Sequence, residues 1–165
     1  MQEFPRTTVG GVSVSRMLVG TNWFLGYSHT SKAKDRFIKS YQTRERVADI
    51  LTVFLEHGVD TIMGMPVPML RDAIQDAQQR TGREAKLILT PHFNIVPGGP
   101  EESAPERVFD NCKALGATFC FPHQCVTDAL LDRMITHTLP MRRVREAFEL
   151  QLRGECGKIV LHPWD

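Results

Sequence analysis

Three times along this chain a helical stretch with an apolar stripe stops at a glycine, and a short apolar run follows within a few residues. No other feature restricts the fold as much. In the first instance Val47, Ile50, Leu51, Phe54 and Leu55 fall at helical spacing on one face, with Thr43 placed to cap the start and Gly58 to stop it. Residues 59–64 then read as a strand. In the second, Pro66 and Pro68 open a helix whose inner face is Leu70, Ala73, Ile74 and Ala77; Gly82 ends it and residues 86–90 (KLILT) form the next strand. In the third, Val108, Phe109 and Cys112 line a helix that follows the Ser103-Ala-Pro-Glu106 capping pattern; Gly116 closes it before a strand over 117–121.

A short buried strand at 17–21 precedes these units, and a hairpin at 7–9 and 12–14, turning at Gly10-Gly11, precedes that strand. A further helix is expected over 127–134. Residues 22–41 mix aromatics with Gly, His and Lys and read as a long loop of the kind that carries function, with the cationic run at 32–39 as a solvated helical turn. Strands alternating with helices through short connections imply a parallel α/β sheet built by right-handed crossovers. The expected fold is a partial TIM-type (β/α) barrel of four units over residues 1–134, with a helix–strand tail over 135–165.

Composition sets outer bounds. At 165 residues, 42% hydrophobic and 24% charged, the chain has the make-up of one soluble domain with a sizeable core. A net charge of +1 argues against an electrostatic grip on nucleic acid or on a membrane. Its apolar runs fall short of the roughly 18 residues of a membrane span, and its start lacks a signal-peptide pattern. The expected location is the cytoplasm, with all four cysteines as thiols.

The hairpin followed by VSRMLVGTNWFLGY, and the later passage FLEHGVDTI, are similar to the aldo/keto reductase type of (β/α) barrel over residues 7–90, thinning to a generic barrel pattern by Met134. That resemblance implies an oxidoreductase using NAD(P), with an Asp after the second strand, a Tyr shortly beyond, a Lys ending the third strand and a His ending the fourth. Here Met63 stands where the Asp belongs, Asp60 comes too early, no Tyr follows, and Lys86 lies at the wrong end of its strand. His123 alone fits its place. Residues 135–163, ITHTLPMRRVREAFEL followed by GKIVLHP, resemble the last helix and last strand of zinc-dependent medium-chain alcohol and polyol dehydrogenases. No G-x-G-x-x-G occurs, so a Rossmann pyrophosphate turn is not encoded.

Barrel chemistry sits at the C-terminal strand ends. That nominates Asn22 and Trp23, His92 and Asn94, and His123 and Gln124. His92 and His123, ending neighbouring strands that run about 4.8 Å apart, would bind a metal or share a proton; the alternative is that each bonds to loop carbonyls. Cys120, His123 and Cys125 give C-x-x-H-x-C, but strand alternation turns Cys120 away from His123, which favours buried thiols over zinc. Asp60 either positions a catalytic or ligand group or ties down the hairpin. Gly98-Gly99 would make a backbone nest for an anion or a plain loop, and Arg142, Arg143 and Arg145 the wet side of a final helix opposite Val144 and Phe148.

Four strands leave two open edges, which invite self-association. Alternatively, residues 158–161 add a further strand to the sheet. The expected function is that of a truncated or fused oxidoreductase fragment without independent turnover. A homodimeric barrel enzyme using His92 and His123, and a non-catalytic interaction module, are the alternatives.

Overall fold

Gly10 and Gly11, at φ of 54° and 81°, supply the left-handed pair of residues that a two-residue hairpin requires, and so join β1 (Arg6–Val9) to β2 (Val12–Ser15). The computed structural model describes residues 4–94 and 105–163. The chain divides into two compact units, Met1–His92 with Ser103–Pro122, and Phe93–Glu102 with His123–Asp165.

In the first unit a parallel sheet runs in the order β3 (Leu18–Gly20), β4 (Thr61–Gly64), β5 (Lys86–Leu89) and β6 (Phe119–Cys120). Sequential order with parallel pairing is what strand–helix–strand crossovers produce. The described residues contain this four-stranded sheet and no closed barrel.

Between β3 and β4 lie α1 (Asn22–Leu25), α2 (Lys32–Tyr41) and α3 (Arg44–Glu56). Thr43 caps α3, its Oγ1 accepting from Arg46 N at 3.3 Å, and Gly58 at φ 79° turns the chain into β4. Then α4 (Pro68–Thr81) leads to β5 and α5 (Pro105–Ala114) to β6. Residues 22–41 therefore hold two helices joined by a turn: the helical turn expected at 32–39 is a ten-residue helix, and the rest of the expected loop opens with α1. Gly26 ends α1 in the left-handed region, and Ser31 Oγ accepts from Lys34 N at 3.2 Å to begin α2. Ile38 is the one fully buried residue of α2, so its apolar stripe is too thin to register as a period. The Gly98-Gly99 turn and Ser103 lie outside the described residues.

Side chains on each strand alternate between two environments. Val19, Ile62, Leu87 and Leu89 pack with Val47, Leu51 and Leu55 of α3 and Leu70, Ala73 and Ala77 of α4, forming the core. Arg44 clamps α3 to α4 through two hydrogen bonds of 2.6 Å to the Asp76 carboxylate. The other sheet face carries Leu18, Thr61, Met63, Ile88 and Phe119, and among the described residues the cavity over it is lined by no helix.

The second unit holds α6 (Gln124–Met134), β7 (Ile135–Pro140), α7 (Val144–Leu152) and β8 (Lys158–His162), with a single 3-10 turn at Met141–Arg143. β7 and β8 pair in parallel, giving a strand–helix–strand unit. Three expectations change here. Residues 135–140 are a strand, not the start of a helix: Ile135, Thr136 and Thr138 are β-branched and suit an extended backbone. The 158–162 strand pairs with β7 rather than extending the four-stranded sheet. The expected inner face of α7 also differs, since Phe148 is 62% exposed and Ala147 is the buried residue.

Candidate functional site

The polar side chains that join β1 and β2 to the sheet gather at its N-terminal end. Asp60, just before β4, accepts from Arg6 Nη2 at 2.7 Å and from Ser15 N at 3.1 Å. Ser15 Oγ lies 2.8 Å from Met17 O and accepts from Thr61 N at 3.1 Å; Thr61 Oγ1 in turn accepts from Ser15 N at 3.0 Å. Ser15 and Thr61 are both buried, and each pairs within this knot rather than toward solvent. Burial works against the charged form of Asp60, but the bonds from Arg6 and Ser15 outweigh it and hold the carboxyl below its ordinary range. The structure thus places Asp60 at the hairpin attachment, away from the strand tips.

At the opposite, C-terminal end of β3, Thr21 Oγ1 donates to Met63 O at 3.0 Å. Gly64 sits against it, and a Cβ there would collide with Thr21 Oγ1 and come within 2.9 Å of Leu70 Cδ2. Asn22 Nδ2 lies 3.0 Å from His29 Nε2. His29 is held at φ 57°, a left-handed conformation that no other non-glycine residue among the described ones adopts. Lys34 Nζ stands 4.6 Å over the Trp23 ring. Asp35 accepts from Ser28 Oγ at 2.5 Å and from Ser28 N at 2.8 Å, and those bonds lower its pKa. The nominated Asn22 and Trp23 therefore sit in an ordered polar turn. His29 went unnoticed in the sequence, where nothing marks a histidine that takes a glycine-like backbone.

His92 follows β5 and is exposed, in the first unit; His123 belongs to the second. His123 is the N-cap of α6: its Nδ1 lies 3.4 Å from Cys125 N and 2.9 Å from Cys125 Sγ. No group of three or more His, Cys, Asp or Glu side chains among the described residues is arranged to hold a metal ion. Cys112 is buried against Cys120, and burial pushes its thiol up to about 11. All four cysteines are free thiols. No helix among the described residues is long and apolar enough to cross a membrane.

Between the hairpin and the helix-free sheet face lies a cavity of about 400 Å³. Val9 and Val14 of the hairpin form one wall, and Leu18, Met63, Ile88 and Phe119 the other. Its polar lining belongs to the attachment knot (Arg6, Ser15, Thr61), to Thr7 and to Arg16.

No family model matches the chain, and no solved structure matches it. A stretch of 33 residues is 46% identical to L-threonine 3-dehydrogenase of Caldanaerobacter subterraneus subsp. tengcongensis, covering 20% of this chain and 10% of that protein. The chain therefore spans about a tenth of the curated relative it matches. This likeness points to a dehydrogenase-type relationship for that stretch.

Proposed function

We propose that this chain is an oxidoreductase-related scaffold, half a (β/α) barrel wall joined to a dehydrogenase-type terminal unit, that carries out no hydride transfer by itself. The sequential parallel sheet, with its helices packed on one face, supports the half-barrel part of the reading. The 33-residue likeness supports the dehydrogenase part, and we take it to reflect the β7–α7–β8 segment.

The observation that carries the proposal is the engagement of Asp60. The acidic side chain next to the second parallel strand is tied to Arg6, Ser15 and the hairpin at the sheet's N-terminal end. In a barrel, catalytic groups sit at the other end. Asp60 thus serves attachment.

A second reading draws on the sheet edges. β3 and β6 each have one side without a strand partner among the described residues, and Leu18 and Phe121 are each 46% exposed beside them. A second copy pairing edge to edge would give eight strands, and this reading assigns a metal, a proton transfer or NAD(P) to His92 and His123, each within its own unit.

One experiment addresses both. The purified chain is sized by gel filtration with light scattering and assayed with L-threonine and with simple alcohols, using NAD and NADP, with and without zinc. The proposal expects no saturable turnover. Saturable turnover by a discrete dimer, lost in His92→Ala and in His123→Ala, would replace it with the second reading.

A further inference from the structure

We propose that the cavity between the β1–β2 hairpin and the helix-free face of the sheet binds a small amphipathic monoanion, an alkyl carboxylate of medium length. Its volume, about 400 Å³, lies within the range of small-molecule sites. Leu18, Met63, Ile88, Phe119 and Phe121 furnish an apolar floor, and Leu18 and Phe121 are nearly half exposed. Covering them releases water from apolar surface, which is the main gain on offer.

The charge pattern of the lining selects the head group. Arg6 is neutralised by Asp60 at 2.7 Å. Ser15 and Thr61 use their hydroxyls on each other and on the backbone. Arg16 is different: it lines the cavity, it is exposed, and its guanidinium has no carboxylate partner among the described residues. An apolar cleft with one uncommitted cation complements an apolar chain ending in a single negative charge. A guanidinium meets a carboxylate through two parallel N–H donors. A neutral alcohol of the same length would gain the apolar contact and lose the charge pairing, and an ammonium would be repelled.

The test is calorimetric titration of the full chain with octanoate, 1-octanol and octylammonium, repeated with Arg16→Gln and Leu18→Gln. Both positions are exposed, and circular dichroism checks that each variant is folded. The expected result is one octanoate per chain, with octanol about five- to tenfold weaker and octylammonium weaker still. Arg16→Gln should bring octanoate down to the octanol level without changing octanol. Leu18→Gln should weaken both. Absence of octanoate binding, or equal affinity for octanoate and octanol unmoved by Arg16→Gln, overturns the proposal. So does a stable dimer that octanoate neither enters nor dissociates, since the cavity is then occupied by a second copy.

Discussion

Arg6 and Asp60 are 54 residues apart in sequence and 2.7 Å apart in space, and their ion pair pins the N-terminal hairpin to the start of the second parallel strand. With side chains only 27% and 15% exposed, the pair is sheltered enough for its loss to register. Asp60→Ala removes the carboxylate partner of Arg6 and one of the two acceptors of Ser15 N, which keeps Thr61 Oγ1. We expect a loss of about 1–3 kcal/mol, read as a lowered denaturant midpoint at unchanged slope.

The same pair sets a pH dependence. Burial opposes ionisation of Asp60, but the Arg6 and Ser15 bonds prevail and depress its folded-state pKa. A depressed carboxyl contributes stability that is present above its unfolded value of about 3.9 and is lost as pH falls through the lower folded value. Melting temperature should therefore drop on acidification below about pH 4. In Asp60→Asn that drop should be shallower, because one carboxylate fewer has to be protonated. Equal acid sensitivity of the two proteins would contradict the role given to Asp60.

Gly64 is required by close approach rather than by an unusual backbone angle. Gly64→Ala drives a methyl into Thr21 Oγ1 and toward Leu70 Cδ2, and should cost about 1–3 kcal/mol. In a Thr21→Ala background the hydroxyl is gone, and the same substitution should cost less. A double-mutant cycle measures the difference.

Leu51 has no exposed surface at the centre of α3, whereas Leu152 is 86% exposed. Leu51→Ala should destabilise by about 2–5 kcal/mol. Leu152→Ala should stay within about 0.5 kcal/mol. Thermal melts of the two variants give the comparison directly.

Thiol labelling separates the cysteines. Cys125 is exposed, while Cys112 is buried with its thiol pushed up to about 11. At mildly alkaline pH iodoacetamide should modify Cys125 in the folded protein and reach Cys112 only after denaturation. Peptide mass mapping reads both sites.

The α3, α4 and α5 units were legible in the sequence because their signals are local: Thr43 as a cap, Pro68 in a first turn, Gly58, Gly82 and Gly116 as stops. The helix α2 was legible only as a helical turn over 32–39, since Ile38 is its sole buried residue and its other positions are mostly charged or exposed; Ser31 and Gly26 are the signals that mark its full length. At 135–140 the resemblance to a dehydrogenase helix outweighed three β-branched residues that pointed to a strand. Asp60 was recognisable as a candidate. Its partner Arg6 was not, because a pairing across 54 residues depends on tertiary register, which local spacing does not encode.

The proposed scaffold role means that this chain transfers no hydride alone. The most direct measurement is isotopic: the purified chain is incubated with NADH or NADPH carrying deuterium at the transferable position, together with a panel of aldehydes and ketones, and the products are analysed by mass spectrometry. The expected result is no deuterated alcohol above the protein-free control. Deuterated alcohol formed in saturable fashion, in amounts exceeding the chain present, would contradict it.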